Sequence, residues 1–181
     1  MFVRTVCITG PECTGKTTLA EQLARALNTD WVPEAARCYA ERVARPLTVA
    51  DVEPIAREHI AMADAALTRM SGTASWLVLD TDLLSTVAYA RHYYQASPGW
   101  IEETARARRA DLYVLCDVDV PWTPDGVRDL PHQREEMLAE FRGVLGEFGA
   151  SVQEVRGSTE ERLRAVLAQL EKQASLAPSS R

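Results

Sequence analysis

Lysine is nearly absent from this chain: Lys16 and Lys172 are the only lysines among its 20 basic residues, and the rest are arginine. A lysine inside a motif therefore stands out. Basic charge as a whole is short as well, with a net charge of −6 and a pI of about 5.2, which argues against a nucleic-acid-binding surface. No apolar run approaches the roughly 20 residues that a membrane span needs. The sequence enters a strand pattern at its start, without a charged leader or an apolar signal core, so a cytoplasmic protein is expected. Cys7, Cys13, Cys38 and Cys116 show neither C-x-x-C spacing nor a histidine partner pattern, which argues against structural zinc and a disulfide framework. Cys7 and Cys116 read as small apolar residues of buried strands. An N-K-x-D guanine motif and an ABC signature are also missing, which disfavours a GTPase switch and an ABC-type ATPase.

What is present begins at residue 10. Gly10-Pro11-Glu12-Cys13-Thr14-Gly15-Lys16-Thr17-Thr18 follows the apolar run Val3–Ile8 and opens a helical pattern. This is G-x-x-x-x-G-K-[ST] between a strand and a helix. The glycines let the chain turn so tightly that successive amides face phosphate oxygens; Lys16 reaches the β/γ-phosphates and the Thr17 hydroxyl ligates Mg²⁺. The positive end of the following helix completes the anion cradle. Binding of ATP with Mg²⁺ is the expectation. A glycine turn that happens to contain lysine is the bland alternative, and the filled motif positions weigh against it.

Strand-length apolar runs at about 2–9, 30–34, 76–80, 111–116 and 150–155 alternate with helical patterns at 16–27, 50–70, 83–94 and beyond Ser158. This alternation predicts an α/β protein with a five-stranded parallel sheet between two helical layers, a P-loop NTPase of the nucleoside- and nucleotide-kinase kind. Thr48 with Asp51, Ser97-Pro98, and Ser158 with Glu161 read as helix starts, the middle one placing a proline at the first helical position. One domain over 1–172 accounts for the chain, with a frayed tail at 173–181. Residues 122–135, rich in turn formers and charge, read as a lid loop at the carboxyl end of the fourth strand, where ligand crevices lie.

Several residues fit chemistry around the triphosphate. Asp80 ends an apolar strand, where a carboxylate near a P-loop serves Mg²⁺; the competing use for Asp80 and Asp82 is capping the helix that follows. Asp80 is assigned to the metal and Asp82 to substrate contact. Glu34 can accept the proton of an attacking hydroxyl or hold a ribose diol, against a plain salt bridge with Arg37. Arg128 and Arg134 of the lid supply forked donors for charge that develops during phosphoryl transfer. His132 reads as a positional hydrogen-bonder. Gly157 is placed beside the adenine, with an ordinary strand-to-helix turn as the alternative.

Taken in order, Gly10–Thr18, Val32-Pro33-Glu34-Ala35-Ala36-Arg37, Asp80-Thr81-Asp82-Leu83-Leu84-Ser85-Thr86 and Asp125–Arg134 resemble the ribosylnicotinamide kinase domain of NadR-type proteins, over about residues 1–172. The resemblance implies ATP-dependent phosphorylation of nicotinamide riboside at its 5′-hydroxyl. Because the kinase-like part uses up the chain, no adenylyltransferase or DNA-binding domain is expected beside it. Cys13 stands where the family commonly has Ser, Ala35 where it has an aromatic, and Pro33 next to Glu34 where an aromatic stacks on nicotinamide. Trp31, Tyr39, Tyr89 and Tyr93 remain as candidates for stacking on a cationic ring, with core packing as the alternative for each. Two other functions stay open. A kinase for another nucleoside or a nucleoside monophosphate would use Arg37, Arg42 and Arg45 as extra cations. An ATP-binding sensor would act through a partner surface. The sequence leaves the oligomeric state open, homo-oligomers included.

Overall fold

In β1 (Arg4–Thr9) and β4 (Leu112–Cys116) apolar residues run without alternation, and Val6, Cys7, Ile8 and all of β4 are buried. A strand covered on both faces has no solvent side to reserve for polar residues. The computed structural model describes residues 3–70, 76–121 and 133–176. With β2 (Trp31–Val32), β3 (Trp76–Asp80) and β5 (Val152–Val155), these strands form a five-stranded parallel sheet in the order β2-β3-β1-β4-β5. Register pairs Cys7 with Leu79 and with Tyr113, and Ile8 with Asp80 and with Val114.

The helices are α1 (Lys16–Leu27), α2 (Ala35–Val43), α3 (Val52–Met70), α4 (Leu83–Tyr94), α5 (Gly99–Ala107), α6 (Arg134–Glu147) and α7 (Thr159–Leu176). Leu19 and Leu23 of α1 and Val166 and Leu170 of α7 pack on Val6, Ile8, Val78 and Val114. On the other face, Ala56 of α3, Val87 of α4, Ile101 of α5 and Phe141 of α6 pack on Cys7, Leu77, Leu79 and Tyr113. The predicted three layers are present. Each fully buried leucine here stabilises the fold by about 1.5–3 kcal/mol. The loop after β1 leaves toward the α1 face while those after neighbouring β3 and β4 lead to the opposite face, which opens a crevice at the carboxyl ends of the strands.

Local departures have local causes. β2 is two residues long rather than five, and Glu34 lies beyond it as the N-cap of α2. Thr48 and Asp51 form the expected box, but it opens a single 3-10 turn, Val49–Asp51, ahead of α3. Pro98 is the N-cap of α5, one position earlier than predicted. Ser158 and Glu161 exchange bonds at the start of α7 as expected, Ser158 N–H to Glu161 Oε2 at 2.7 Å and Glu161 N–H to Ser158 Oγ at 3.3 Å. α7 continues to Leu176, past the predicted end of the domain, because Ala174, Ser175 and Leu176 tolerate helix well. Residues 177–181 lie outside the described residues.

Candidate functional site

The loop Gly10–Gly15 leaves β1 with three residues at positive φ: Gly10 at 133°, Cys13 at 53° and Gly15 at 79°. Gly10 is irreplaceable on a second count, since a Cβ there would sit 2.8 Å from the Cys116 carbonyl oxygen of β4. Gly15 is the N-cap of α1 and no side chain caps the first turn, which leaves its amides for an anion. Inside the loop, Pro11 O accepts from Thr14 Oγ1 at 2.8 Å and from the buried Lys16 ammonium at 2.7 Å. Lys16 thus rests on the loop it would leave to meet a phosphate. Glu12 is half-buried within the loop, and Thr18 lies on the first turn of α1. Cys13 is half-buried and the one non-glycine at positive φ in the loop, so bulk added to its sulfur is expected to crowd the phosphate cradle. Alkylation with iodoacetamide in a Cys38→Ser background should abolish ATP binding by calorimetry. Undiminished affinity after confirmed modification of Cys13 would place the thiol outside the cradle.

Thr17 Oγ1 donates to Asp80 Oδ2 at 2.7 Å, which joins the P-loop helix to the end of β3. The other oxygen, Asp80 Oδ1, is buried and has no hydrogen-bond partner among the described residues. Burial, and then the neighbouring charge of Glu34, raise the Asp80 pKa to about 6, against the opposing pull of the Thr17 hydroxyl, Lys16 and Arg37. A buried, orphaned carboxylate oxygen beside a threonine hydroxyl is a suitable donor pair for Mg²⁺, which takes oxygen ligands and commonly one carboxylate plus substrate phosphates. Thr81, the next residue, is β-branched at φ 66°, a strained conformation of the kind found at functional turns.

Asp82 takes the capping role that competes with substrate contact. Its Oδ1 accepts from the Leu84 and Ser85 amides at 2.9 and 3.3 Å, and its Oδ2 accepts from the Tyr113 hydroxyl at 2.5 Å. Its oxygens thus cap α4 and tie it to β4, and the residue also lines the cleft that Glu34 borders, where its substrate contact is expected. Burial raises its pKa.

Glu34, 8% exposed, borders a cleft walled by Ala35, Val52, Ile55, Tyr89, Ala90 and Tyr93. Arg37 Nε is 3.7 Å from Glu34 Oε2, so the salt bridge exists alongside the cleft position. Two tyrosines one turn apart on α4, their rings nearly parallel at 4°, connect this cleft to the P-loop: Tyr89 OH donates to Gly10 O at 3.3 Å and Tyr93 OH to Glu12 Oε1 at 3.1 Å. The remaining aromatic candidates are elsewhere. Trp31 packs on the α1 and α7 side of the sheet, and the Tyr39 hydroxyl donates to Asp51 at 3.0 Å. Arg42 is paired with Glu58 and Arg45 with Asp51, in both cases through two nitrogens.

Arg134, the first residue of α6, donates to Cys13 O at 3.2 Å and Val120 O at 3.1 Å, and its buried Nε has no partner among the described residues. Arg128 and His132, like the rest of 122–132, lie outside the described residues. Arg162 escaped the sequence reading altogether. Only 2% exposed, it donates to Thr14 O at 2.5 Å, Gly157 O at 3.0 Å and Asp117 O at 3.3 Å, and pairs with Asp119. The carbonyl and the following N–H of a trans peptide point in opposite directions, so Arg134 and Arg162 together fix where the amides of Thr14 and Gly15 point. The available signal was position: Arg162 precedes the buried Val166 and Leu170 by four and eight residues, on the inward face of α7. Gly157, at φ 88°, gives its amide to Asp119 Oδ2 at 2.5 Å, and a Cβ there would meet Glu161 at 2.5 Å. Glycine at 157 is required by this strand-to-helix turn whatever else borders it.

The family described as AAA domain matches residues 5–162. The trifunctional NAD biosynthesis/regulator protein NadR of Escherichia coli is 32% identical over 153 residues, 81% of this chain and 36% of that protein. The chain spans about a third of the length of the curated relatives it matches. Among solved structures, a NadR protein in complex with NR superposes with a TM-score of 0.81 at 23% identity, over 94% of this chain and 50% of that one. A NadR protein in complex with NAD and AMP-PNP superposes with a TM-score of 0.75 at 22% identity, over 99% and 52%. At these identities the structures establish a common fold.

Proposed function

The chain belongs to the AAA domain family, and from that premise we propose that it is an ATP-dependent kinase that phosphorylates nicotinamide riboside at its 5′-hydroxyl to give nicotinamide mononucleotide. The observation that carries the reading is the pair of hydrogen bonds from Tyr89 and Tyr93 to Gly10 and Glu12, which sets an apolar, tyrosine-walled cleft directly against the phosphate loop. A flat cationic ring suits tyrosine faces, and Glu34 stands at the phosphate end of the cleft. A relative named for NAD biosynthesis and a solved neighbour bound to NR support the choice of acceptor.

In this reading the loop amides and Lys16 hold the triphosphate, and Glu34 accepts the proton of the 5′-hydroxyl as its oxygen bonds to the γ-phosphorus. The bond from that phosphorus to the bridging oxygen breaks and ADP leaves. Arg134, with Arg128 of the lid, supplies positive charge for the transferred group. Thr17 and Asp80 would hold Mg²⁺, which neutralises phosphate charge when bound. Arg37 orients Glu34. Among the described residues no helix is long and apolar enough to cross a membrane, and a cytoplasmic location is part of the proposal. A nucleoside monophosphate fits less well, since Arg42 and Arg45 already serve Glu58 and Asp51.

A coupled ADP-release assay with ATP·Mg²⁺ and a panel of nucleosides and nucleoside monophosphates, products identified by mass, tests the acceptor. Turnover of nicotinamide riboside at roughly 1 s⁻¹ or more is expected. ATP binding with no acceptor-dependent release across the panel would point to a sensor instead. Glu34→Gln should lower kcat roughly 10²-fold or more while the KM for ATP stays within about threefold, because it removes a proton acceptor from the transition state. An unchanged kcat would return Glu34 to its ion pair with Arg37.

A further inference from the structure

His59 lies on the same face of α3 as Val52 and Ile55, and all three line the acceptor cleft. At ~1.5 Å of rise per residue, the imidazole is about 10 Å farther along the helix than Val52. It also borders a second cavity with Thr5 and Leu77, which belong to the amino-terminal halves of β1 and β3. The cleft therefore runs from Glu34, near the carboxyl ends of the strands, to His59 at its inner end.

This imidazole is only 6% exposed, and among the described residues neither ring nitrogen has a hydrogen-bond partner. Neither nitrogen is among the fully enclosed unpartnered polar atoms of the described residues, so each keeps some exposure and a group lying in the cleft can meet it. Two neighbouring polar side chains are already engaged: Asp82 with the α4 amides and Tyr113, and Ser85 Oγ with Thr9 Oγ1 at 2.8 Å. Burial, aided by Arg108 and opposed by Asp64, pushes the His59 pKa down to about 4. Near neutral pH the ring is therefore uncharged, with one N–H donor and one lone pair. It does not repel a pyridinium cation, and in either tautomer it can bond a carboxamide, donating to the oxygen or accepting from the NH₂.

We propose that His59 is the residue that reads the acceptor's base, by a hydrogen bond from the inner end of the cleft to a carboxamide carried on a cationic heteroaromatic ring. The assignment rests on the acceptor reading given above. It predicts an energetic coupling between one side chain and one substituent, which a cycle of two proteins and two substrates isolates.

The test compares wild type with His59→Phe on nicotinamide riboside and on N-ribosylpyridinium, which lacks the carboxamide. Wild type should prefer nicotinamide riboside by roughly 10- to 100-fold in kcat/KM, the scale of one buried hydrogen bond left unpaired. His59→Phe should treat the two within about threefold, with the KM for ATP unchanged. A His59→Phe protein that keeps the wild-type preference overturns the assignment while leaving the acceptor reading intact. A wild-type protein that phosphorylates neither riboside overturns both. If His59→Phe lacks a cooperative melt, His59→Asn, which is polar but too short to reach the same point, takes its place with the same expected loss of preference.

Discussion

Lys16→Ala is expected to reduce ATP turnover by roughly 10³-fold or more while the protein stays folded. The ammonium donates to Pro11 O at 2.7 Å, and Thr14 Oγ1 holds the same carbonyl at 2.8 Å. Its loss leaves the loop anchored at Cys13 by Arg134 and at Thr14 by Arg162. What disappears is the mobile cation that follows the phosphates, and fixed positive charge at a transferring phosphoryl group is among the largest single contributions to its catalysis. ADP release and a thermal melt on the same sample decide the matter. Wild-type turnover in a folded variant would end the assignment of the P-loop as the triphosphate site, and a collapsed melt would make Lys16 a structural residue.

Asp80→Asn should act in opposite directions on activity and stability. With Mg²⁺ and ATP, turnover should fall roughly 10²- to 10⁴-fold, because an amide oxygen replaces the anionic donor. Without ligands, the same change should stabilise the protein. The native pKa of about 6 exceeds the ordinary 3.8, so the folded state holds the proton more tightly than the unfolded one. The resulting penalty is absent below about pH 4, grows between pH 4 and 6, and is complete above pH 6. A shift of this size corresponds to about 3 kcal/mol. Urea denaturation of the ligand-free proteins should therefore show no gain for Asp80→Asn near pH 4 and the largest gain near pH 8. Burial is the first cause and Glu34 the second, so Glu34→Gln should remove part of the same penalty. A variant less stable than wild type at pH 8 would mean that the Thr17–Asp80 contact supports the fold more than burial of the carboxylate strains it.

Part of the site could be read without coordinates because its elements are contiguous. Gly10–Thr18 is one strand-turn-helix unit, and its function follows from backbone conformations that only certain residues adopt. The three layers were legible for a related reason, since burying both faces of a parallel sheet leaves uninterrupted apolar strands such as Leu112–Cys116. Where acids competed for roles within one turn, sequence order could not decide. Asp80 and Asp82 are two residues apart, and their division of labour depends on Tyr113, which arrives from β4 to take Asp82 Oδ2. Arg162 was hidden for the same reason: an arginine in a polar, amphipathic helix looks like surface until Thr14, Gly157, Asp117 and Asp119 are seen around it.

The sequence by itself determined the phosphate cradle, the acidic end of β3 and the alternation of strands and helices, because periodicity, glycine conformations and strand-end carboxylates are local properties. Tertiary structure alone decided which tyrosines wall the cleft, which arginines hold the loop, which carboxylate is left with an orphaned oxygen, and where His59 ends up. Those outcomes depend on side chains distant in sequence converging at the carboxyl ends of β1, β3 and β4 and in the cleft beneath α3 and α4. Burial there changes the cost of a charge or an unpaired hydrogen bond by more than any local preference does.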